Sequence, residues 1–383
     1  MPNNITRNLL TLPNRAKYTI KAEVTRDGIN TTTLEGVRDH LRTVKKLQEP
    51  IDRVFDIGQM MFTIENGELA FRRLLTNAKG QRVQTEPIRF TKHGLGLFAP
   101  VFMPRSGANM LRETALTSDG DKIAMLLTNY HAQQSAGKEV LVRTVLKKGP
   151  NGEVNRYVRS IHSANYAVHD ELDLVNDILN TRLFDDARVM SFSQDDYGMV
   201  TRLIQGEVTE LKVPVPGLEL ITSPVGTRCS EISPCTFRLV CLNGMTTKEV
   251  GQRHRFRHFG DTSRIRRGIS DVAENLMTEA SGLVSQYQSA LGVAIDDAHL
   301  WMTQQLEGTF SKQVIEQVAF GMEDETSSTQ GTLANVIDGI TLIAQKPDFG
   351  VFEQWNLEAE AHRLMEKALT QASQRENKLF ADA

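Results

Sequence analysis

The order of the hydrophobic patterns constrains the fold more than any other feature of this sequence. In MMFTIENGELAFRRLL, apolar residues alternate on both sides of Asn66-Gly67, and both turn residues tolerate positive φ, which predicts a β-hairpin. A second hairpin is predicted around Pro150-Asn151-Gly152, with arms EVLVRTVLKK and EVNRYVRSIH. From Ser270, a favourable N-cap residue, the patterned segments have the helical period instead.

Strands that come in hairpins, and not after every helix, favour an α+β fold over a doubly wound parallel sheet. We expect a hairpin-rich antiparallel sheet packed on helices, followed by a mainly helical C-terminal region. The predicted domains are a body at residues 1–269 and a helical region at 270–383. Within the body, helices are expected after Thr33, from near Ser118 to Gly137 and in HDELDLVNDILN. Strands are expected in VMSF, GMVTRLI and LKVPVP, and a bent strand or ordered loop in PIRFTKHGLGLFAPVFMP.

Charge is distributed unevenly along the 383 residues, although the formal net charge is only −3. From Asp271 onward there are 18 acids and 6 Lys or Arg, a net charge of −12, which leaves 38 basic and 29 acidic residues and a net charge of +9 before it. A basic body is typical of proteins with a phosphate-bearing or otherwise acidic partner. Two solvated surfaces of opposite sign would give the same composition.

The densest cationic segment is RHRFRHFGDTSRIRRG, at residues 253–268. As a strand, residues 253–259 would carry Arg253, Arg255 and Arg257 on one face, with His254, Phe256 and His258 on the other. The next three arginines would stand just before a helix N-terminus, which also favours anions. Arginine, unlike lysine, offers a planar fork that binds phosphate oxygens in a bidentate way.

These patterns define a predicted nucleic-acid site. The second hairpin is expected to project as a basic ribbon, and nearby aromatic rings are expected to stack on bases. The predicted binding residues are Arg253, Arg255, Arg257, Arg264, Arg266, Arg267, Arg143, Lys147, Lys148, Arg156, Arg159, Phe256, Phe259 and Tyr157.

Motifs for common enzymes were sought and not found. The sequence has no P-loop, no dinucleotide-binding glycine motif, no zinc-protease His motif and no nucleophile elbow. Asp195-Asp196 would suit a metal-dependent nuclease, but DDYG is also a turn sequence. His254 and His258 would lie too far apart on a strand to share a metal, and Tyr166, between His162 and His169, indicates only a loop. We therefore expect no enzyme activity, no metal and no cofactor.

The N-terminal segment, the length of the apolar stretches and the cysteine spacing predict where the protein is located and whether its cysteines are paired. The N-terminus lacks a signal-peptide pattern and no apolar stretch reaches the about 20 residues of a membrane helix, so a cytoplasmic protein without a membrane partner is expected. Cys229, Cys235 and Cys241 are odd in number and evenly spaced, which favours buried free thiols over disulfides or a zinc site.

Four segments in order resemble a family of uncharacterised phage, prophage and plasmid proteins, a phage/plasmid-like domain of unknown function. The strongest is FRLVCLNGM followed by RHRFRHFGD; the others are SIHSANYAVHDELDLVNDI, LELITSPVGTRCSEI and GTLANVIDGITLIAQ. The first 100 or so residues and the last helices match the pattern poorly. The resemblance implies a mobile-element setting and no catalytic residues. More remotely, the chain resembles phage single-strand annealing recombinases of the RecT, Redβ and Erf type, which are ring-forming proteins.

Cys241, Asn243 and Gly244 match the family motif, and we interpret them as a buried thiol and an Asn-Gly turn before the arginine strand. The sequence as a whole predicts a non-enzymatic single-stranded DNA-binding protein of a phage or mobile element that promotes strand annealing in recombination as a homo-oligomer in the host cytoplasm. Two alternatives remain open: a structural or regulatory homo-oligomer that does not bind DNA, and a metal-dependent nuclease using Asp195 and Asp196.

Overall fold

The fold is known from a computed structural model of the chain. The residues that it describes are 18–21, 23–25, 28–30, 32–65, 68–90, 94–95, 98, 124–125, 127–132, 136–148, 152–205, 214–239, 246–250, 253–290, 292–295, 297–325, 331–344 and 351–381. The predicted turns at Asn66-Gly67 and Pro150-Asn151, the start of a helix near Ser118, and the motif residues Cys241, Asn243 and Gly244 lie outside them.

Both predicted hairpins are confirmed, and they belong to one mixed sheet, here called the N-terminal sheet. Its strands are β5 (Ile51–Asp56), β6 (Met60–Glu65), β7 (Glu68–Thr76), β8 (Arg82–Gln84), β9 (Ile88–Phe90), β10 (Glu139–Lys148) and β11 (Val154–Ser163). The order of the described strands is β5-β10-β11-β9-β7-β6, with β8 on β7. All pairs are antiparallel except β11 with β9.

The second hairpin does not project as a ribbon, so that prediction is wrong. β10 lies between β5 and β11, and β11 lies between β10 and β9, which places both arms inside the N-terminal sheet. One side of this sheet packs five phenylalanine rings together: Phe55, Phe62, Phe71, Phe90 and Phe98. This part of the chain also contains a 3-10 turn at Ile57–Gln59 and a π-helical segment at Leu127–Ala132.

A second sheet, here called the central sheet, is antiparallel throughout its described pairs. Its strands are β1 (Tyr18–Lys21), β4 (Thr32–Thr33), β12 (Ala187–Gln194), β13 (Met199–Gln205), β14 (Pro214–Thr222), β15 (Ser230–Leu239), β16 (Thr246–Val250) and β17 (His254–Phe256). The order is β1-β12-β13-β14-β15-β16, with β4 also on β12 and β17 also on β15. Two short ladders join β2 (Glu23–Thr25) to β3 (Gly28–Asn30) and β18 (Ala294–Ile295) to β19 (Gly331–Thr332).

Three helices cover one face of the central sheet: α1 (Leu34–Gln48), α2 (Glu171–Asn180) and α3 (Thr262–Ala290). On β13, Met199 and Leu203 pack into the core beneath these helices, as period-two alternation requires. Arg202 and Ile204 point to the opposite face, where Arg202 pairs with the buried carboxylates of Glu219 and Glu358. Glu358 belongs to the last helix, so this buried triad ties the C-terminus to the sheet.

The C-terminal region is helical, as predicted. It comprises α4 (Ala298–Leu306), α5 (Lys312–Glu325), α6 (Leu333–Ala344) and α7 (Val351–Ala381), which share an apolar core with the end of α3 at Ala290. None of the helices in the described part of the chain is long and apolar enough to cross a membrane. The structure therefore has the expected α+β architecture with a helical C-terminal region.

Helix α3 begins at Thr262, eight residues before its predicted start at Ser270. The carboxylate of Asp261 accepts hydrogen bonds from the backbone and hydroxyl of Ser263. The apolar stripe of α3 already begins at Ile265 and continues through Ile269, Ala273 and Leu276, all buried. The helix therefore crosses the boundary between residues 269 and 270, and Ser270 is an exposed residue within it.

Gly268 lies where α3 passes over β17. A Cβ atom there would stand 2.7 Å from Cε1 of Phe256, whereas a Cβ atom at Gly282, in the same helix, would meet nothing within 4 Å. The absence of a side chain at Gly268 thus lets the Phe256 ring pack directly on the helix.

We predict opposite stability changes for alanine at these two glycines. In an exposed helix interior, Gly→Ala adds up to about 1 kcal/mol to the free energy of unfolding, and this gain is expected for Gly282→Ala. Gly268→Ala must displace the Phe256 ring and should lower the free energy of unfolding instead. Urea unfolding followed by circular dichroism measures both; equal gains would contradict the close contact.

Candidate nucleic-acid interface

Arg143, a predicted DNA ligand in the second hairpin, is a buried structural residue with only 2% of its surface exposed. Its guanidinium donates to Asp52 at 2.9 and 3.2 Å and to Asp170 at 2.7 and 2.9 Å, and it also donates to the carbonyl of Pro224. Burial alone would lower its pKa, but the two carboxylates raise it. Arg143 therefore joins the N-terminal sheet to α2 and to the loop before β15, and the DNA-binding prediction is wrong for it.

The same correction applies to three more hairpin residues. Lys147 is buried against Asp196, and burial lowers its pKa although Asp196 acts to raise it. Arg159 pairs with buried Glu171 at 3.2 Å. Tyr157 is fully buried and donates its hydroxyl to Glu68 at 3.1 Å, so it cannot stack on a base. Each of these side chains is thus held against an acidic group of another element of the fold.

The last two hairpin residues are closer to solvent. Arg156 keeps 21% of its side chain exposed and donates to the carbonyl of Glu49 at 2.9 Å. Lys148 is half-buried at the end of β10, opposite Val154. Neither lies in the cavity described below.

Arg253 and Arg255 have acidic neighbours within the sheet. Strand β17 covers only residues 254–256 of the predicted 253–259, and its register places Arg255 opposite Glu231 of β15. Arg255 Nε lies 3.3 Å from Glu231 Oε1, and half-buried Arg253 also interacts electrostatically with Glu231. Burial raises the pKa of Glu231, while the two arginines lower it. The like-charge repulsion along this strand is thus partly offset by an acid of the body.

The side chains between these arginines face α3. His254 lies 3.5 Å from Glu279 of that helix, and Phe256 packs on its Gly268. Exposure alternates along the segment, with Arg255, Arg257 and Phe259 exposed and His254, Phe256 and His258 half-buried. The alternation between exposed and half-buried side chains therefore continues beyond Phe256, where the strand ends.

A cavity of about 300 Å³ opens where the chain leaves β17 and enters α3. We call it the arginine pocket; its described lining residues are Phe256, Arg257, Phe259, Arg264 and Ile265. Arg257 and Arg264 are exposed, and Phe259 exposes 64% of its surface. The lining of the pocket thus combines three apolar side chains with two arginines.

The turn that carries Phe259 is held by the loop before α2. Phe259 forms an antiparallel bridge with Tyr166, and Gly260 donates its N–H to the carbonyl of Asn165 at 3.2 Å. Gly260 has φ +78°, a left-handed conformation that favours glycine. Phe259 is therefore exposed on a turn whose backbone is hydrogen-bonded into the fold.

Arg264, Arg266 and Arg267 were predicted to stand just before the helix. They lie instead in the first two turns of α3, which begins at Thr262. Arg266 Nε lies 3.4 Å from Asp177 of α2, so this side chain has an acidic partner while keeping 59% exposure. Arg264 and Arg267 are three residues apart and neighbours on the helix surface. Among the residues that the structure describes, no carboxylate lies within ion-pair distance of Arg257, Arg264 or Arg267.

Sequence reasoning missed a stack of rings beneath this turn. The rings of His162 and Tyr166 are 3.7 Å apart, and those of Tyr166 and His258 are 5.2 Å apart and nearly parallel. His258 also binds the carbonyl of Ala167 at 3.2 Å. Burial lowers the pKa of His162 to about 3 and that of His258 to about 4. His162 and His169 around Tyr166 were a visible signal, but the third layer comes from a distant segment.

His169 belongs to a buried polar network beside this stack. Its Nε2 lies 2.8 Å from Asp177 Oδ2, and its Nδ1 lies 3.2 Å from the hydroxyl of Ser230. These are the residue types of a hydrolase triad. However, Ser230 is fully buried and His169 is 1% exposed, so no substrate reaches the hydroxyl. The network positions α2 and β15 relative to each other.

Asp195 and Asp196 form a turn, as the DDYG sequence indicates. The Asp195 carboxylate accepts from the backbone N–H groups of Tyr197 and Gly198 at 2.8 and 3.1 Å, and Asp196 pairs with Lys147. Within the described ranges, no group of three or more His, Cys, Asp or Glu side chains is arranged to hold a metal ion. Cys235 is buried and Cys229 is half-buried, and neither forms a disulfide bond in the described part of the chain.

Removing the Arg143 side chain should destabilise the fold strongly. Arg143→Met leaves the buried carboxylate of Asp170 without its main partner, and loss of one member of a buried pair costs about 3–5 kcal/mol. Arg363→Met is the control, because Arg363 forms an exposed pair whose loss should cost no more than about 1 kcal/mol. Equal urea midpoints for the two variants would contradict the bridging role.

Stability should also fall in weak acid because of the ring stack. The folded-state pKa values of His162 and His258 lie below 6.5, so the unfolded chain binds more protons. Their contribution is complete above about pH 6.5 and is lost as the pH falls toward 4 for His258 and toward 3 for His162, with a limiting slope of about 1.4 kcal/mol per pH unit for each histidine.

Chemical unfolding at pH 7 and pH 5 tests this. His258→Asn retains a donor for the Ala167 carbonyl and should reduce the difference between the two pH values. His299→Gln, in the helical region, should leave that difference as in the wild type. An unchanged difference in His258→Asn would overturn the assignment.

Comparison of the chain with protein-family models, with curated proteins and with solved structures finds no match. The observations that bear on function are therefore those of the chain itself: which cations are buried in pairs and which ones remain exposed around the arginine pocket.

Proposed function

We propose that this chain is a non-enzymatic, single-stranded DNA-binding protein of a phage or mobile element that promotes strand annealing in recombination as a homo-oligomer. One observation carries the proposal: an exposed phenylalanine, Phe259, lines a pocket together with Arg257 and Arg264, which have no carboxylate within ion-pair distance among the described residues. The mobile-element setting is supported only by the resemblance of four sequence segments.

In the proposed complex, Arg257, Arg264 and Arg267 bind the phosphate backbone electrostatically. Each guanidinium is exposed, so it keeps its hydration and can exchange it for phosphate oxygens at little desolvation cost. Close to the start of α3, the helix dipole adds to the attraction for anions. Binding to a phosphate backbone would release counterions, and the affinity would fall as the salt concentration rises.

The aromatic part favours a single strand over a duplex. An exposed ring such as Phe259 can stack on the face of a base, and base faces are accessible only when the strand is unpaired. Because the proposed contacts engage the backbone and few bases, most bases of the bound strand stay available to pair. Several subunits along one strand would then present it to a complementary strand.

A second candidate function, a homo-oligomeric assembly that does not bind DNA, is supported by the charge distribution alone. The segment from Asp271 to the C-terminus has a net charge of −12, so the exposed arginines of one subunit could dock on the acidic helices of another without any DNA. That assembly would dissociate at high salt and would ignore oligonucleotides.

Charge reversal at the proposed surface tests DNA binding. Arg264→Glu with Arg267→Glu should weaken binding of a labelled single strand about 100-fold or more, since each hydrogen bond to a charged group contributes about 1.5–3 kcal/mol. The slope of log affinity against log salt should become shallower by about 1.4, or about 0.7 for each lost phosphate contact. Fluorescence anisotropy at several salt concentrations gives both values.

The matched control is Lys312→Glu with Lys367→Glu, which makes the same charge change at exposed lysines of the helical region. It should retain wild-type affinity. Absence of salt-dependent binding by the wild type would refute DNA binding, and salt-sensitive oligomers that ignore the strand would support the assembly candidate. Annealing is measured separately, as faster pairing of two complementary labelled strands in the presence of the wild type.

A further inference from the structure

The volume of the arginine pocket is compatible with a small ligand. Its volume of about 300 Å³ stands at the lower end of ligand pockets, which range over roughly 300–1,000 Å³. Phe256, Phe259 and Ile265 provide its apolar surface, while Arg257 and Arg264 provide charge. Such a combination suits a ligand with a flat apolar body and an anionic substituent.

Two walls of the pocket are fixed by the fold. Phe256 packs on the helix at Gly268 and is paired through its backbone with Ser230 of β15. Phe259 stands on the turn that Tyr166 and Asn165 hold through backbone contacts. Because the backbone of both residues is hydrogen-bonded into the fold, little backbone order has to be gained on binding.

A phosphate alone does not account for the aromatic wall. Inorganic phosphate would need only the guanidinium groups, and a Phe259 side chain with 64% exposure contributes nothing to its binding. A nucleotide uses both parts, because its base can stack on the ring while its phosphate binds the arginines. A base inside a duplex is already stacked and cannot enter.

We propose that the arginine pocket binds one unstacked nucleotide, with the base against Phe259 and the phosphate on Arg257 and Arg264. This inference rests on the proposed function and specifies it, because each subunit would recognise one nucleotide of the bound strand. A free nucleoside monophosphate is then a ligand as well, and a duplex of the same sequence binds more weakly than the single strand.

The first test removes the ring but keeps the charge. Phe259→Leu should weaken single-strand binding about 10-fold and leave the salt slope unchanged, since the phosphate contacts remain. Phe320→Leu is the matched control, because Phe320, on α5, is exposed to a similar degree, 60% against 64%. Equal affinities of the two variants, with wild-type DNA binding intact, would overturn the nucleotide pocket and leave the proposed function standing.

The second test uses small ligands, so it does not depend on oligonucleotide binding. Titration calorimetry with deoxyguanosine monophosphate and with inorganic phosphate should show at least about 10-fold tighter binding of the nucleotide by the wild type. That preference should disappear in Phe259→Leu and persist in Phe320→Leu. Equal binding of the two ligands by the wild type would refute the pocket. If the nucleotide binds but no oligonucleotide does, the pocket stands and the proposed function fails.

Discussion

The buried guanidinium of Arg143 joins three parts of the chain in one set of hydrogen bonds. It binds Asp52 within the N-terminal sheet, Asp170 at the start of α2, and the carbonyl of Pro224. Asp170 ends the loop whose Asn165 and Ala167 carbonyls hold Gly260 and His258. The geometry around Phe259 thus depends on an ion pair in a different sheet, and the cost of burying that charge is repaid only when all three partners are in place.

Burial divides the basic residues of the body into two groups with different roles. Arg143, Lys147, Arg159 and Arg202 are packed against carboxylates, and each of them joins separate elements. Arg257, Arg264 and Arg267 are exposed and have no carboxylate within ion-pair distance in the described part of the chain. The +9 charge of residues 1–270 therefore overstates the cation surface that a partner would meet. Only exposed cations can exchange water for phosphate.

The sequence predicted elements better than their arrangement. Local signals suffice for α1, whose buried residues Leu34, Val37, Leu41 and Val44 follow the helical period, and for the alternating strands of both hairpins. The interior position of β10 and β11 could not be predicted, because it depends on pairing with β5 and β9. The start of α3 was predicted too late, because Ser270 is a good N-cap in isolation. The buried apolar residues of the helix already begin at Ile265, and their burial extends the helix toward the N-terminus. The ring stack joins His162 to His258, a contact between distant segments that periodicity cannot reveal.

Helix α3 has 29 residues and so is about 44 Å long. Its first turns carry Arg264 and Arg267, its middle packs on β14 and β15, and its last residue, Ala290, lies in the core of the C-terminal helices. It is therefore one continuous element that joins the exposed arginines to the core of the C-terminal helices across the central sheet.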